Sequence, residues 1–111
     1  TATIAMLQLD MVGQGRGYYL NAYGDATQAG EVLSVLVRSA ERLDVRASGL
    51  TATGGSDHVP FQERQVPTVL LMWREAEGCC HVPADTPDRI DPHKLDVTGQ
   101  VVAAVLRLLA E

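Results

Sequence analysis

Two nearly continuous apolar runs, "TATIAMLQLDMVG" and "VPTVLLMW", constrain the fold more than any other part of the chain. The first carries Ile4, Met6, Leu7, Leu9 and Val12, and the second Val69, Leu70, Leu71 and Met72. Such runs lack the alternation of a half-solvated strand and suit strands covered on both faces, in a parallel or mixed sheet. Elsewhere the period becomes helical. From Thr27 to Leu43, residues Val32, Leu33, Leu36, Val37, Ala40 and Leu43 recur at three- and four-residue steps, while Glu31, Arg38, Glu41 and Arg42 face water. The tail predicts a second helix. Asp91 suits its N-cap and Pro92 its first position, with Leu95, Val101, Val102, Val105, Leu106 and Leu109 facing inward. Shorter strands are expected in "YYLNAYG" and "VRASGLTAT", and "GGSDHVPFQERQ" reads as a glycine-led loop with room for one helical turn. Strands alternating with helices define an α/β layered fold, with a mixed or mostly parallel sheet of about four strands.

At 111 residues the chain has the length of one domain, residues 1–111, and can bury roughly two thirds of the surface its unfolded form exposes. Its net charge of −5 repels nucleic acid and anionic membranes, so neither is expected as a partner. No apolar run approaches the ~20 residues of a membrane span. A basic segment followed by an apolar stretch, the mark of a signal peptide, does not open the chain. Its first residue is Thr1, so a processed or excised chain with an upstream segment missing is expected.

Several residues carry chemistry. Asp10 stands at the carboxyl end of a run otherwise built for burial, where a carboxylate is costly unless paired or bound to a cation. Ligands of open α/β sheets gather at the carboxyl ends of strands. His81, in the loop "CCHVPADTPDRID" after the second apolar run, falls on the same expected rim, with Asp85 placed to orient its imidazole toward a metal. The alternatives are a capping role for Asp10 and a solvated loop histidine. Ser56, Asp57 and His58 are contiguous, so their side chains diverge and cannot form a hydrolase triad; they shape a pocket loop or cap a helix. Cys79 and Cys80 remain open between free thiols, a vicinal disulfide and soft metal ligands, although adjacent cysteines poorly match tetrahedral zinc spacing.

The four blocks "LQLDMVG", "GGSDHVPF", "VPTVLLMW" and "CCHVPADTPDRID" resemble, in order and spacing, the C-terminal half of the co-catalytic zinc aminopeptidases. That family includes bacterial leucyl-type aminopeptidases, glutamate carboxypeptidase and the transferrin receptor ectodomain, and the resemblance covers essentially the whole chain. It implies a partial zinc-exopeptidase fold and an enzyme that removes N-terminal residues from peptides with two zinc ions. Asp10 matches a ligand to one zinc, with Gln8 where asparagine is usual, and His81 matches a ligand to the other. Asp85 and Thr86 fill the following Asp-Thr positions, and Ser56, Asp57 and His58 match the loop bordering the substrate pocket. Cys80 replaces a tyrosine that helps hold the tetrahedral intermediate, and a thiol is the poorer donor.

The family's first histidine, its bridging aspartate and its Glu-Glu pair, which supplies the general base, all lie upstream of the position that Asp10 matches. The resemblance thus implies a fragment with two metal ligands and no catalytic base, inactive alone. Its partner is the missing N-terminal half or a second copy. Two other readings stay open: a non-catalytic α/β scaffold that self-associates, and a glutaminyl cyclase-like protein with one zinc, disfavoured because Trp73 is the sole tryptophan. Many relatives are secreted or periplasmic, which is the compartment the resemblance suggests.

Overall fold

In the computed structural model, which describes residues 2–51, 55–76 and 81–111, the two apolar runs become neighbouring strands. β1 (Met6–Leu9) lies parallel to β4 (Thr68–Trp73), pairing Met6 with Thr68 and Leu9 with Leu71. β2 (Tyr19–Gly24) runs antiparallel to β4, and β3 (Arg46–Leu50) parallel to β2. The sheet is therefore mixed, in the order β1-β4-β2-β3. Helices α1 (Gly30–Arg42), α2 (Val59–Glu63) and α3 (Pro92–Leu109) complete the α/β fold, with a 3₁₀ turn at Pro87–Arg89. No helix among the described residues is long and apolar enough to cross a membrane.

One face of the sheet carries the core. Leu20, Ala22, Val69, Leu71 and Trp73 pack there against Val32, Leu36 and Ala40 of α1 and Val101 and Val105 of α3. Strand alternation sends their sequence neighbours to the other face. Burying such side chains contributes about 1.5–3 kcal/mol each and is the main stabilising term.

Helix α1 starts three residues later than its apolar period suggests. The Asp25 carboxylate accepts from the Thr27 and Gln28 N–H groups at 2.8 and 3.0 Å, holding that segment in a turn. The helix ends in a Schellman motif: Asp44 adopts φ 57°, its N–H bonds the Glu41 carbonyl, and the Val45 N–H bonds the Ala40 carbonyl at 2.8 Å.

Two expectations require correction. The first apolar run is not covered on both faces, because β1 is an edge strand; Ile4 is 65% exposed and Leu9 is 43% exposed. Helix α3 begins as expected, with Asp91 accepting from the His93 N–H at 2.9 Å, but its phase differs. Lys94, Thr98, Val101 and Val105 are buried, while Leu95 and Leu106 are about half exposed. A polar anchor sets that phase. The Trp73 indole N–H donates to Thr98 Oγ1 at 3.1 Å, and the Thr98 hydroxyl donates to the Lys94 carbonyl at 2.7 Å.

Candidate metal-binding rim

Because β1 and β4 are parallel, their carboxyl ends reach one edge of the sheet. Asp10 follows β1 directly and extends the ladder by one bond, its N–H donating to the Leu71 carbonyl at 3.1 Å. The long loop after β4 leaves this edge at Trp73 and is tied back to it at Asp91, whose N–H donates to the Gly13 carbonyl at 2.7 Å. His81 belongs to that loop and is exposed. Met11, next to Asp10, and His81 itself both adopt left-handed φ, at 55° and 59°. Each conformation costs on the order of 1 kcal/mol for a residue with a Cβ, and such strain clusters at functional sites.

The segment 11–18 is pressed against the rim. A Cβ on Gly15 would lie 2.7 Å from the Trp73 Cβ and 2.8 Å from the Arg74 carbonyl, so only glycine permits this approach. Gly17 and Tyr18 are clamped to the start of α3. The Tyr18 hydroxyl donates to Asp91 Oδ2 at 2.5 Å, and the Lys94 ammonium donates to the Gly17 carbonyl while sitting 3.9 Å from the Tyr18 ring centre and 4.5 Å from that of Trp73. The exposed ring of His93 meets that of Tyr18 edge-on at 5.3 Å. The Tyr18 hydrogen bond holds the Asp91 carboxyl below the usual carboxylate range and raises the Tyr18 phenol. Burial lowers the Lys94 ammonium, an effect that Asp91 partly opposes. The segments bearing Asp10 and His81 thus share one support.

The Ser-Asp-His segment approaches the other face through Gln8. Gln8 Nε2 donates to Ser56 Oγ at 2.6 Å, and His58 Nδ1 lies 3.3 Å from Gln8 Oε1, an acceptor that places the hydrogen on Nδ1. Gln8 and Asp10 are two residues apart, so the strand period directs both to this face. His58 is buried and Asp57 exposed. His58 occupies the N-cap position of α2 without a side-chain cap, so neither Ser56 nor Asp57 caps the helix.

Asp85 closes a local turn, its N–H donating to the Val82 carbonyl at 3.0 Å, and Thr86 donates to Asp88. The hydrogen bonds of the described residues do not include one between His81 and Asp85. Cys79 and Cys80 lie outside the described residues. Among the described residues no three His, Cys, Asp or Glu side chains come together as a metal site. A carboxylate and an imidazole fit zinc as donor types, but the two are fewer than a tetrahedral ion needs. Sequence reasoning did not find the Tyr18–Asp91–Lys94 clamp or the role of Gln8; a lone amide inside an apolar run was the available signal for the latter.

This strand order, with its polar rim, is the architecture of a zinc-exopeptidase-type α/β layer. A zinc aminopeptidase structure from Bacillus subtilis superposes with a TM-score of 0.78 at 28% identity, over 92% of this chain and 27% of that one. An aminopeptidase structure from Aneurinibacillus sp. strain AM-1 gives 0.74 at 29% identity, over 93% and 25%. Aminopeptidase YwaD of Bacillus subtilis (strain 168) is 30% identical over 107 residues, covering 88% of this chain and 23% of its own length. Residues 1–106 match the model of peptidase family M28, and the chain belongs to that family. It spans about a quarter of the length of these relatives.

Proposed function

We propose that this chain is the C-terminal part of a metal-dependent aminopeptidase catalytic domain, supplying Asp10 to one zinc ion and His81 to the other. Its substrate on this reading is a peptide with a free N-terminus. The observation that carries the proposal is the parallel β1–β4 pair, which delivers Asp10 and the His81 loop to one rim in a member of peptidase family M28. Zinc, when bound, supplies the Lewis acidity and acidified water that peptide hydrolysis needs. The chain's own residues fix the donors. The Leu71 carbonyl holds the Asp10 backbone, and the Tyr18–Asp91–Lys94 clamp joins the two donor-bearing segments. Gln8 seats Ser56 and His58 beneath the rim as a wall of the substrate pocket. In sequence, Cys80 stands at the position of the family's tyrosine, and a thiol is a weaker donor than a phenol.

The base and the remaining ligands come from another segment or chain, so the 111 residues alone hydrolyse peptides poorly. An aminoacyl-nitroanilide assay with added zinc checks this, and turnover near that of an intact relative contradicts it. In the gene product that bears the segment, Asp10→Asn or His81→Ala removes hydrolysis and retains the fold; full activity in either variant refutes the ligand assignment.

A second reading, self-association, is favoured by the β1 edge. Beside it Ile4, Leu7, Leu9, Val102, Leu106 and Leu109 line an open apolar groove of ≈ 440 Å³. The edge strand carries no charge or proline of the kind that blocks pairing. Light scattering distinguishes a dimer from a monomer, and a monomer at high concentration excludes this reading.

A further inference from the structure

Three of the chain's nine cationic side chains converge beside the rim. Arg16, Arg46 and Arg74, with Tyr18, Tyr19 and Glu75, line a cleft of ≈ 440 Å³, in the size range of small-ligand sites.

The backbone builds this row. The Arg16 N–H donates to the Arg74 carbonyl and the Arg74 N–H to the Tyr19 carbonyl, both at 2.9 Å, and Tyr19 pairs with Arg46 in register. These residues are adjacent rungs, spaced about 4.8 Å apart as neighbouring strands are. Tyr19 is also fixed through its side chain. Its hydroxyl lies 2.7 Å from Ser48 Oγ, and the Arg74 guanidinium stacks 4.8 Å from its ring centre. A guanidinium held on an aromatic face loses less freedom when it takes up an anion.

Charge makes the cleft unusual. The 111 residues carry a net charge of −5, yet among the described residues one carboxylate, Glu75, lines this cleft, and it lies 3.6 Å from Arg16. Among the described residues, Arg46 and Arg74 have no acidic partner within ion-pair distance. Three like charges in one cleft repel each other, and an incoming carboxylate relieves that repulsion while forming fork-type hydrogen bonds.

We infer that the Arg16–Arg46–Arg74 cleft binds carboxylate groups and selects peptides with acidic side chains. The anion site stands on its own geometry; its role in substrate choice rests on the peptidase reading, because the cleft adjoins the rim where β4 ends. A peptide with its N-terminus at the rim extends its next side chains toward the arginines.

The test is an amide-resolved NMR titration of the zinc-free chain at low ionic strength with Ala-Glu-Glu, Ala-Gln-Gln and inorganic phosphate. The glutamate peptide binds about tenfold more tightly than its neutral analogue, a difference of about 1.4 kcal/mol. Its shifts centre on Arg16, Tyr19, Arg46 and Arg74, and the preference weakens with salt. The double variant Arg46→Gln/Arg74→Gln abolishes the preference at unchanged melting temperature, and Arg46→Lys/Arg74→Lys retains part of it. Equal binding of the two tripeptides, or shifts centred elsewhere, overturns the site. Phosphate binding as tight as that of the glutamate peptide overturns the peptide assignment. Since no metal is present, a negative result here leaves the zinc reading intact, and failure of zinc binding at the rim leaves the cleft intact.

Discussion

Adjacent residues of α3 give a sharp test of its packing. Val105 is fully buried and Leu106 is 54% exposed. Val105→Ala deletes two buried methyl groups, worth about 1.6 kcal/mol by transfer, and leaves a cavity that adds to the loss. Alanine's better helix propensity returns up to about 0.5 kcal/mol, leaving a net cost of about 2 kcal/mol. Unfolding 111 residues at about 2.1 cal/mol/K each gives ~0.23 kcal/mol/K, so Tm falls by about 9 °C. Leu106→Ala removes three carbons from a largely solvated site, costs under about 1 kcal/mol, and lowers Tm by at most about 4 °C. Counting carbons alone predicts the reverse order. Calorimetry or thermal circular dichroism on both variants decides the matter, and a larger loss for Leu106→Ala refutes the helix phase described here.

Gly15→Ala forces a Cβ against the Trp73 Cβ and the Arg74 carbonyl, so a loss of about 2–4 kcal/mol is expected in denaturant unfolding; a neutral effect shows that the approach is not tight. The Tyr18–Asp91 bond also makes a pH prediction. Asp91 is lowered, so its contribution is present above the unfolded carboxylate value near 3.9 and is lost as pH falls through the lower folded value. Tyr18 is raised, so its contribution is present below about 10 and is lost as pH rises through the higher folded value. The stability gap between wild type and Asp91→Asn, which keeps an N-cap side chain, is therefore widest from about pH 5 to 9 and closes at both ends. A gap independent of pH from 2.5 to 11 removes the bond from the account.

Local rules made much of the fold legible. Asp91 and Pro92 announce the start of α3, and the three- and four-residue apolar steps give the body of α1. Apolar runs gave β1 and β4 but not their burial, because a strand's cover depends on whether it is an edge, and nothing local says so. The phase of α3 was hidden for a similar reason. Apolar spacing cannot weigh Leu106 against Thr98, whose burial is decided by an indole twenty-five residues away. At the rim, the strand-end position of Asp10 and the loop position of His81 were readable from the order of elements. The clamp was not, since Tyr18 and Asp91 are 73 residues apart and each has an adequate local explanation. The arginine row depends on register, which the sequence does not state.

Paramagnetic NMR with cobalt(II), a zinc substitute, probes the rim most directly. In a Cys79→Ser/Cys80→Ser background, which removes competing thiols, added cobalt broadens the resonances of Asp10 and His81 together, and Asp10→Asn weakens the broadening most around residue 10 while His81→Ala weakens it most around residue 81. Broadening that centres on His93 or His58 and leaves Asp10 and His81 sharp contradicts a shared metal-binding edge.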